Sequence, residues 1–78
     1  MTNNPAMRIF NKVKHRRVDK VSQLVHATKV SNNVPVLHRM KLIDWIGDNT
    51  QGRFWIGFNE IYFEMESDAI IYKLGFKI

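Results

Sequence analysis

Cysteine is missing from this 78-residue sequence, and glycine and proline are scarce, with four and two residues. The lack of cysteine excludes disulfide bonds and thiolate metal sites, and it is compatible with a reducing cytoplasm. Apolar runs extend over only a few positions, whereas a membrane-spanning helix needs about 20 residues. The polar first residues are not followed by the apolar segment of a secretory signal. The sequence therefore predicts a cytoplasmic protein with no membrane partner.

Acidic residues are nearly absent from the first 43 positions, which hold nine Lys or Arg and the single acid Asp19. Residues 44–78 reverse this balance, with three Lys or Arg and six acids. The whole chain has a formal net charge of +5. This division favours a cationic surface that faces a polyanion and is joined to a separate folding core.

The length limits the chain to one domain, residues 1–78. A domain of this size buries only about 60% of the surface that its unfolded chain exposes. Formation of a homodimer would bury more. Seven of the nine aromatic residues lie between positions 45 and 72. We therefore expect the core to be weighted to the C-terminal half.

The first half of the chain has two segments with competing interpretations. Residues 1–17 fit a flexible basic arm, or an edge strand in which Met7 and Ile9 alternate with polar residues. The segment after Asp19 fits a helix that ends near Ser31, which we favour, although its β-branched residues also fall on one face of a strand.

The second half is patterned more clearly. Residues 37–46 predict a helix with Gly47 at its C-cap. The aromatic runs 53–58 and 60–64 predict a β-hairpin. A short helix should then begin at a Ser67 cap and end at Gly75, with residues 76–78 returning as a strand. The predicted fold is α+β, a small single domain with two helices, an aromatic β-hairpin and a short C-terminal helix.

The basic segment is the main candidate binding site, because phosphate neutralisation needs several cations within flexible reach. A solvated face that keeps the protein soluble would give the same pattern. Aromatic residues beside Arg53 could stack unpaired bases, although such a run also fits a core strand. The run is similar to the aromatic strand of RNA-recognition motifs, but the order of elements here differs from theirs. The predicted nucleic-acid-binding residues are Arg8, Lys12, Lys14, Arg16, Arg17, Lys20, Arg53 and Trp55.

Catalytic and metal-binding patterns are not evident in the sequence. Its three histidines, His15, His26 and His38, match no zinc spacing. The glycines recur every five residues from Gly47 but match neither the P-loop nor the dinucleotide fingerprint. The sequence therefore predicts a protein that is not an enzyme and uses no cofactor or metal.

Residues 61–74 combine an aromatic-containing strand, a few polar residues, Asp-Ala and an apolar helix. This segment resembles the tail of many small, mostly uncharacterised proteins of tailed bacteriophages, and the matching residues are Phe63, Asp68, Ala69, Tyr72, Lys73 and Leu74. The resemblance implies a phage accessory protein that acts in the host cytoplasm by binding nucleic acid or a host protein.

Three functions follow from these observations. The leading one is nucleic-acid binding through the basic half. The alternative is a protein–protein inhibitor or adaptor that binds an acidic surface of a host enzyme, with aromatic anchors supplying affinity. A structural component of a virion is the third.

Overall fold

A computed structural model describes residues 5–77 of this protein. These residues form three α-helices and a three-stranded antiparallel sheet. In chain order they are α1 (Pro5–Val13), β1 (Thr28–Ser31), α2 (Arg39–Asn49), β2 (Phe54–Ile56), β3 (Glu60–Phe63) and α3 (Glu66–Gly75). Single 3₁₀ turns at Val21–Gln23 and Val36–His38 precede β1 and α2. The predicted α+β class is confirmed.

The aromatic hairpin forms as predicted and supplies two of the three strands. β3 lies in the centre, with β2 and β1 antiparallel on either side of it. Strand residues alternate between faces, so Ile61 and Phe63 are fully buried while Tyr62 between them is half-buried. Opposite them, Phe54 pairs with Phe63 and Val30 pairs with Ile61.

Apolar residues from all three helices and all three strands share one core. Leu42 and Ile46 lie four positions apart on α2, on the same face of the helix, and both are fully buried. The buried members of this core are Val13, Val30, Val34, Leu42, Ile46, Phe54, Ile61, Phe63, Ala69 and Tyr72. Val13 is the contribution of α1, which therefore belongs to the folded unit.

The prediction of a flexible arm or an edge strand over 1–17 is wrong for residues 5–13, which form α1. Ile9 and Val13 are spaced for one helical face, and both are buried. Only Arg17 bridges to β2, in a single parallel pairing with Phe54. The part of the predicted arm at 1–4 lies outside the described residues.

The helix predicted after Asp19 is also wrong. Its sequence forms the 3₁₀ turn at Val21–Gln23 and then β1. A helical face would bury Leu24 and Val25 together, but Leu24 is buried whereas Val25 is exposed. The segment forms the alternative strand because pairing with β3 places Val30 in the core.

The second predicted helix is confirmed as α2, but Gly47 is not its C-cap. The helix continues to Asn49, and Thr50 occupies the C-cap with an extended backbone. Gly47 lies where α1 crosses α2, and a Cβ there would come 2.6 Å from Cδ of Lys12 and 2.9 Å from Cγ1 of Val13. The glycine is therefore needed for close helix packing.

The C-terminal helix is present as α3, and its start differs from the one predicted. α3 begins after Met65 at its N-cap, so Ser67 lies inside the first turn. The helix ends at Gly75, as predicted, and Phe76 occupies the C-cap. Phe76 and Lys77 are not in a strand, contrary to expectation, and residue 78 lies outside the described range.

Candidate nucleic-acid interface

An open groove of about 400 Å³ lies between the end of α1 and β2. It combines aromatic and aliphatic side chains with two cations and one acid. The lining residues are Phe10, Val13, Lys14, Arg17, Val18, Asp19, Trp55 and Ile56. Three of the residues predicted from the sequence, Lys14, Arg17 and Trp55, are thus brought together.

The backbone between α1 and β2 sets the shape of this groove. The amides of Arg16 and Arg17 both donate to the Val13 carbonyl at 2.9 Å, which ends α1 in a tight turn. The chain then runs beside β2, where the Val18 amide donates to the Phe54 carbonyl and the Phe54 amide donates to the Arg16 carbonyl, each at 2.9 Å. This pairing holds Arg17 at the free edge of the sheet.

The indole of Trp55 is held in place from three sides. Its Nε1 donates to the Asp19 carbonyl at 3.1 Å. The ring centroid lies 5.8 Å from that of Tyr62, its cross-strand neighbour on β3. A Cβ on Gly57 would come 2.5 Å from the indole, so the ring occupies space that only glycine leaves free. Trp55 therefore presents a fixed aromatic surface to the groove.

The side chain of Gln23 orders the backbone at Asp19 and Lys20. Oε1 of Gln23 accepts hydrogen bonds from the backbone amides of Asp19 at 3.0 Å and Lys20 at 2.9 Å. The exposed Lys20, which follows the groove residue Asp19 in the sequence, therefore has a backbone held in one position.

Four of the predicted cations, Arg8, Lys14, Arg17 and Lys20, are exposed and have no ion-pair partner among residues 5–77. Arg8 is set apart from the other three, since on an ideal helix it lies roughly 160° around the axis from Phe10. The groove and its immediate edge therefore carry three available positive charges.

Arg16, predicted to neutralise phosphate, instead closes the C-terminal end of α2. Its Nη2 donates to the Gly47 carbonyl and its Nη1 to the Thr50 carbonyl, both at 2.7 Å. Its Cζ also lies 6.0 Å from the centroid of the Phe54 ring. The last carbonyls of a helix lack intrahelical partners and attract cations, which explains this use of the guanidinium.

Lys12, a second predicted phosphate contact, links α1 to α2. Its Nζ forms ion pairs with Asp44 and, at 2.8 Å, with Asp48. The hydrogen bond to Asp44, followed by that to Asp48, raises the pKa of Lys12. Its charge is therefore balanced within the fold.

Arg53, the third, is held by a carboxylate on the neighbouring strand end. Nε donates to Oε1 of Glu64 at 3.0 Å and Nη2 to Oε2 at 2.6 Å, a bidentate pair. The hydrogen bond from Arg53, and then that from the Val25 amide, lowers the pKa of Glu64. Arg53 is therefore also engaged inside the protein.

A second exposed surface lies at the start of α2 and the tip of the hairpin. Leu37 is 93% exposed and Phe58 is 78% exposed, and Val36 is exposed as well. Arg39 joins the two segments, because its guanidinium donates to the carbonyls of Gly57 at 3.1 Å and Phe58 at 3.0 Å. We call Val36, Leu37 and Phe58 the hairpin-tip patch.

Comparison with protein-family models, with curated proteins and with solved structures finds no match to this chain. Within residues 5–77, no three His, Asp or Glu side chains are grouped so that they could hold a metal ion. None of the helices in this range has the length and apolar character needed to cross a membrane.

Sequence reasoning missed the groove residues Phe10, Val18 and Ile56. The first of these had a visible signal, since Phe10 is an aromatic residue immediately before the basic cluster. Its exposure, 59%, could not be inferred without knowing that the segment is helical and which face it buries.

Proposed function

We propose that this protein binds nucleic acid through the groove and the three cations at its edge, Lys14, Arg17 and Lys20. One observation supports the proposal above all. Exposed cations without ion-pair partners among residues 5–77 adjoin a concave aromatic surface, whereas Lys12, Arg16 and Arg53 are already bound to other groups of the protein. Phosphate groups need such available cations, and bases need apolar faces.

Fluorescence anisotropy with a labelled oligonucleotide tests this function. Three phosphate contacts predict that affinity falls about 20- to 40-fold between 50 and 200 mM salt, because each contact releases condensed counterions. The double variant Lys14→Glu, Arg17→Glu should abolish most of the binding. The matched control Lys73→Glu, Lys77→Glu makes the same charge change at the exposed end of α3 and should retain it. Equal losses in both variants would contradict the proposed contact.

The resemblance of residues 61–74 to phage proteins extends the proposal to a non-enzymatic phage accessory factor acting in the host cytoplasm. The supporting observation is that β3 and α3 follow in the expected order, with Asp68 and Ala69 in the first turns of the helix. Expression of the chain in a bacterial host should then perturb growth, and the variant Lys14→Glu, Arg17→Glu should relieve the effect. Growth unchanged by the wild-type chain would remove support for this extension.

A second candidate function, inhibition or recruitment of a host protein, is favoured by the hairpin-tip patch. Large apolar side chains as exposed as Leu37 and Phe58 are typical of protein contacts. A pull-down from a bacterial lysate tests this function. The wild type and the variant Lys14→Glu, Arg17→Glu should both retain a protein partner, and the double variant Leu37→Asp, Phe58→Asp should lose it. The reverse pattern favours nucleic-acid binding.

A further inference from the structure

The lining of the groove offers apolar side chains that contact with a phosphate backbone alone would not use. Phe10 and Trp55 contribute aromatic rings, and three aliphatic residues contribute further apolar surface. The cations Lys14 and Arg17 and the acid Asp19 complete the lining. Its volume of about 400 Å³ falls within the range typical of small-molecule sites, about 300–1,000 Å³. A planar apolar group flanked by negative charge would match both parts of this surface.

We propose that the groove accepts one unpaired base, which makes single-stranded nucleic acid the preferred ligand. This inference rests on the proposed nucleic-acid function. The base would pack against Phe10 and Trp55, and its neighbouring phosphates would reach Lys14 and Arg17. Bases in a duplex are stacked and paired, so they cannot enter such a groove without being extruded, which costs their pairing and stacking energy.

The fixed position of the Trp55 ring and the exposure of the Phe10 ring support this assignment. Trp55 is fixed by its hydrogen bond to the Asp19 carbonyl and by its contact with the Tyr62 ring. Its indole also occupies the space that a side chain at position 57 would fill, which Gly57 leaves open. A stacking surface that is already ordered loses little entropy when a base binds. Phe10 is largely exposed, so covering its ring with a base would remove apolar surface from water.

Asp19, the one acid among the described lining residues, distinguishes a base from a plain polyanion. A carboxylate at Asp19 repels phosphate, but it can accept a hydrogen bond from an exocyclic amino group of a base. A surface that bound any polyanion would not benefit from an acid in this position. We therefore expect polyphosphate to bind much more weakly than an oligonucleotide of equal charge.

The experiment compares a labelled mixed-sequence single strand, the same strand as a duplex, and an abasic strand of equal length, by anisotropy at 50 mM salt. The variant Phe10→Ala removes one stacking ring from an exposed position, so the fold should be retained. Phe58→Ala is the matched control, because it removes an exposed phenyl ring outside the groove. In a Trp45→Phe background, tryptophan emission reports Trp55 alone.

We expect the single strand to bind more tightly than the duplex and the abasic strand. Phe10→Ala should weaken single-strand binding about 5- to 150-fold, the loss typical of one stacked base, and leave abasic binding unchanged. Phe58→Ala should behave as the wild type, and the single strand should quench Trp55. Equal affinity for all three ligands with no effect of Phe10→Ala would overturn the inference and leave the proposed function intact. No binding of any ligand would overturn both.

Discussion

Arg16 and Arg17 are adjacent in the sequence, yet the structure gives them different tasks, and this difference can be measured. Replacing Arg16 with alanine removes the two short hydrogen bonds that the guanidinium donates to the carbonyls of Gly47 and Thr50. Those carbonyls belong to the end of α2, the helix that carries the fully buried Leu42 and Ile46. The change therefore acts on the element at the centre of the core.

The expected cost can be worked out from these contacts. Hydrogen bonds to a charged group contribute about 1.5–3 kcal/mol each, and partial access of water to the site reduces the loss for the pair to about 2–3 kcal/mol. A chain of this length has a total stability of about 4–12 kcal/mol. Arg16→Ala should therefore lower the melting temperature by roughly 8–24 °C.

Arg17→Ala is the matched control for this prediction. The side chain of Arg17 is exposed, and its part in the sheet is made by the backbone, which alanine retains. An exposed substitution of this kind should change stability by no more than about 0.5 kcal/mol. Thermal and urea denaturation, each followed by circular dichroism, measure both variants, and the same samples can be tested for oligonucleotide binding.

Arg16→Lys separates geometry from charge. A lysine ammonium is a single point donor, whereas the planar guanidinium reaches two carbonyls at once. The lysine variant should therefore lie between the wild type and Arg16→Ala in stability. The reasoning is refuted if Arg17→Ala destabilises as much as Arg16→Ala, or if Arg16→Ala leaves the urea midpoint unchanged.

Two further predictions concern stability. Gly47→Ala should lower the urea midpoint, because the new Cβ would press on Lys12 and the buried Val13. Alanine inside a helix is ordinarily more favourable than glycine by up to about 1 kcal/mol, so the expected sign is the reverse of the intrinsic preference. A raised midpoint would show that α1 can move aside. Glu64 has a lowered pKa in the folded protein, so its ionised form stabilises the fold at neutral pH, and this contribution is lost as the pH falls from about 5 through the folded pKa. The urea midpoint of Glu64→Gln should therefore decline less than that of the wild type between pH 6 and 3; identical curves for the two proteins would contradict the assignment.

The parts of the fold that could be predicted are those specified by local pattern. Alternation around Ile61 and Phe63 indicates a strand with one buried face, and the apolar residues from Leu42 to Ile46 indicate a helix. Both patterns operate over a few residues and need no knowledge of the rest of the chain. The hairpin and α2 are accordingly where expected, with only their ends displaced.

The first helix could not be predicted with the same certainty, because its strongest support is distant in the sequence. Met7 and Ile9 are separated by the polar Arg8, as in a strand, and the four-residue spacing from Ile9 to Val13 is only one competing signal. Packing on α2 decides the matter, through the ion pairs of Lys12 with Asp44 and Asp48. A local signal was nevertheless present, since Pro5 suits the first position of a helix.

The candidate site shows the same limit more sharply. Nothing local distinguishes Arg16 from Arg17, since the carbonyls that Arg16 contacts belong to residues more than 30 positions later. Sequence reasoning could therefore identify the basic segment, and it could not say which cations remain available. Trp55 entered the prediction for its aromatic character, and its place beside Lys14 and Arg17 depends on the pairing of the 16–18 segment with β2.

The uneven distribution of charge along the chain consequently has two physical roles. Part of the positive charge holds the N-terminal half onto the acidic C-terminal half, through Lys12 with Asp44 and Asp48 and through Lys29 with Glu60 at 3.3 Å. This part is neutralised inside the protein and cannot release counterions from a nucleic acid. The salt dependence of binding should therefore reflect about three phosphate contacts, whereas the net charge of +8 over residues 1–43, nine Lys or Arg less one acid, would predict a far steeper decline. The slope of log affinity against log salt concentration counts these contacts directly, and it decides whether Lys12 and Arg16 take part in binding.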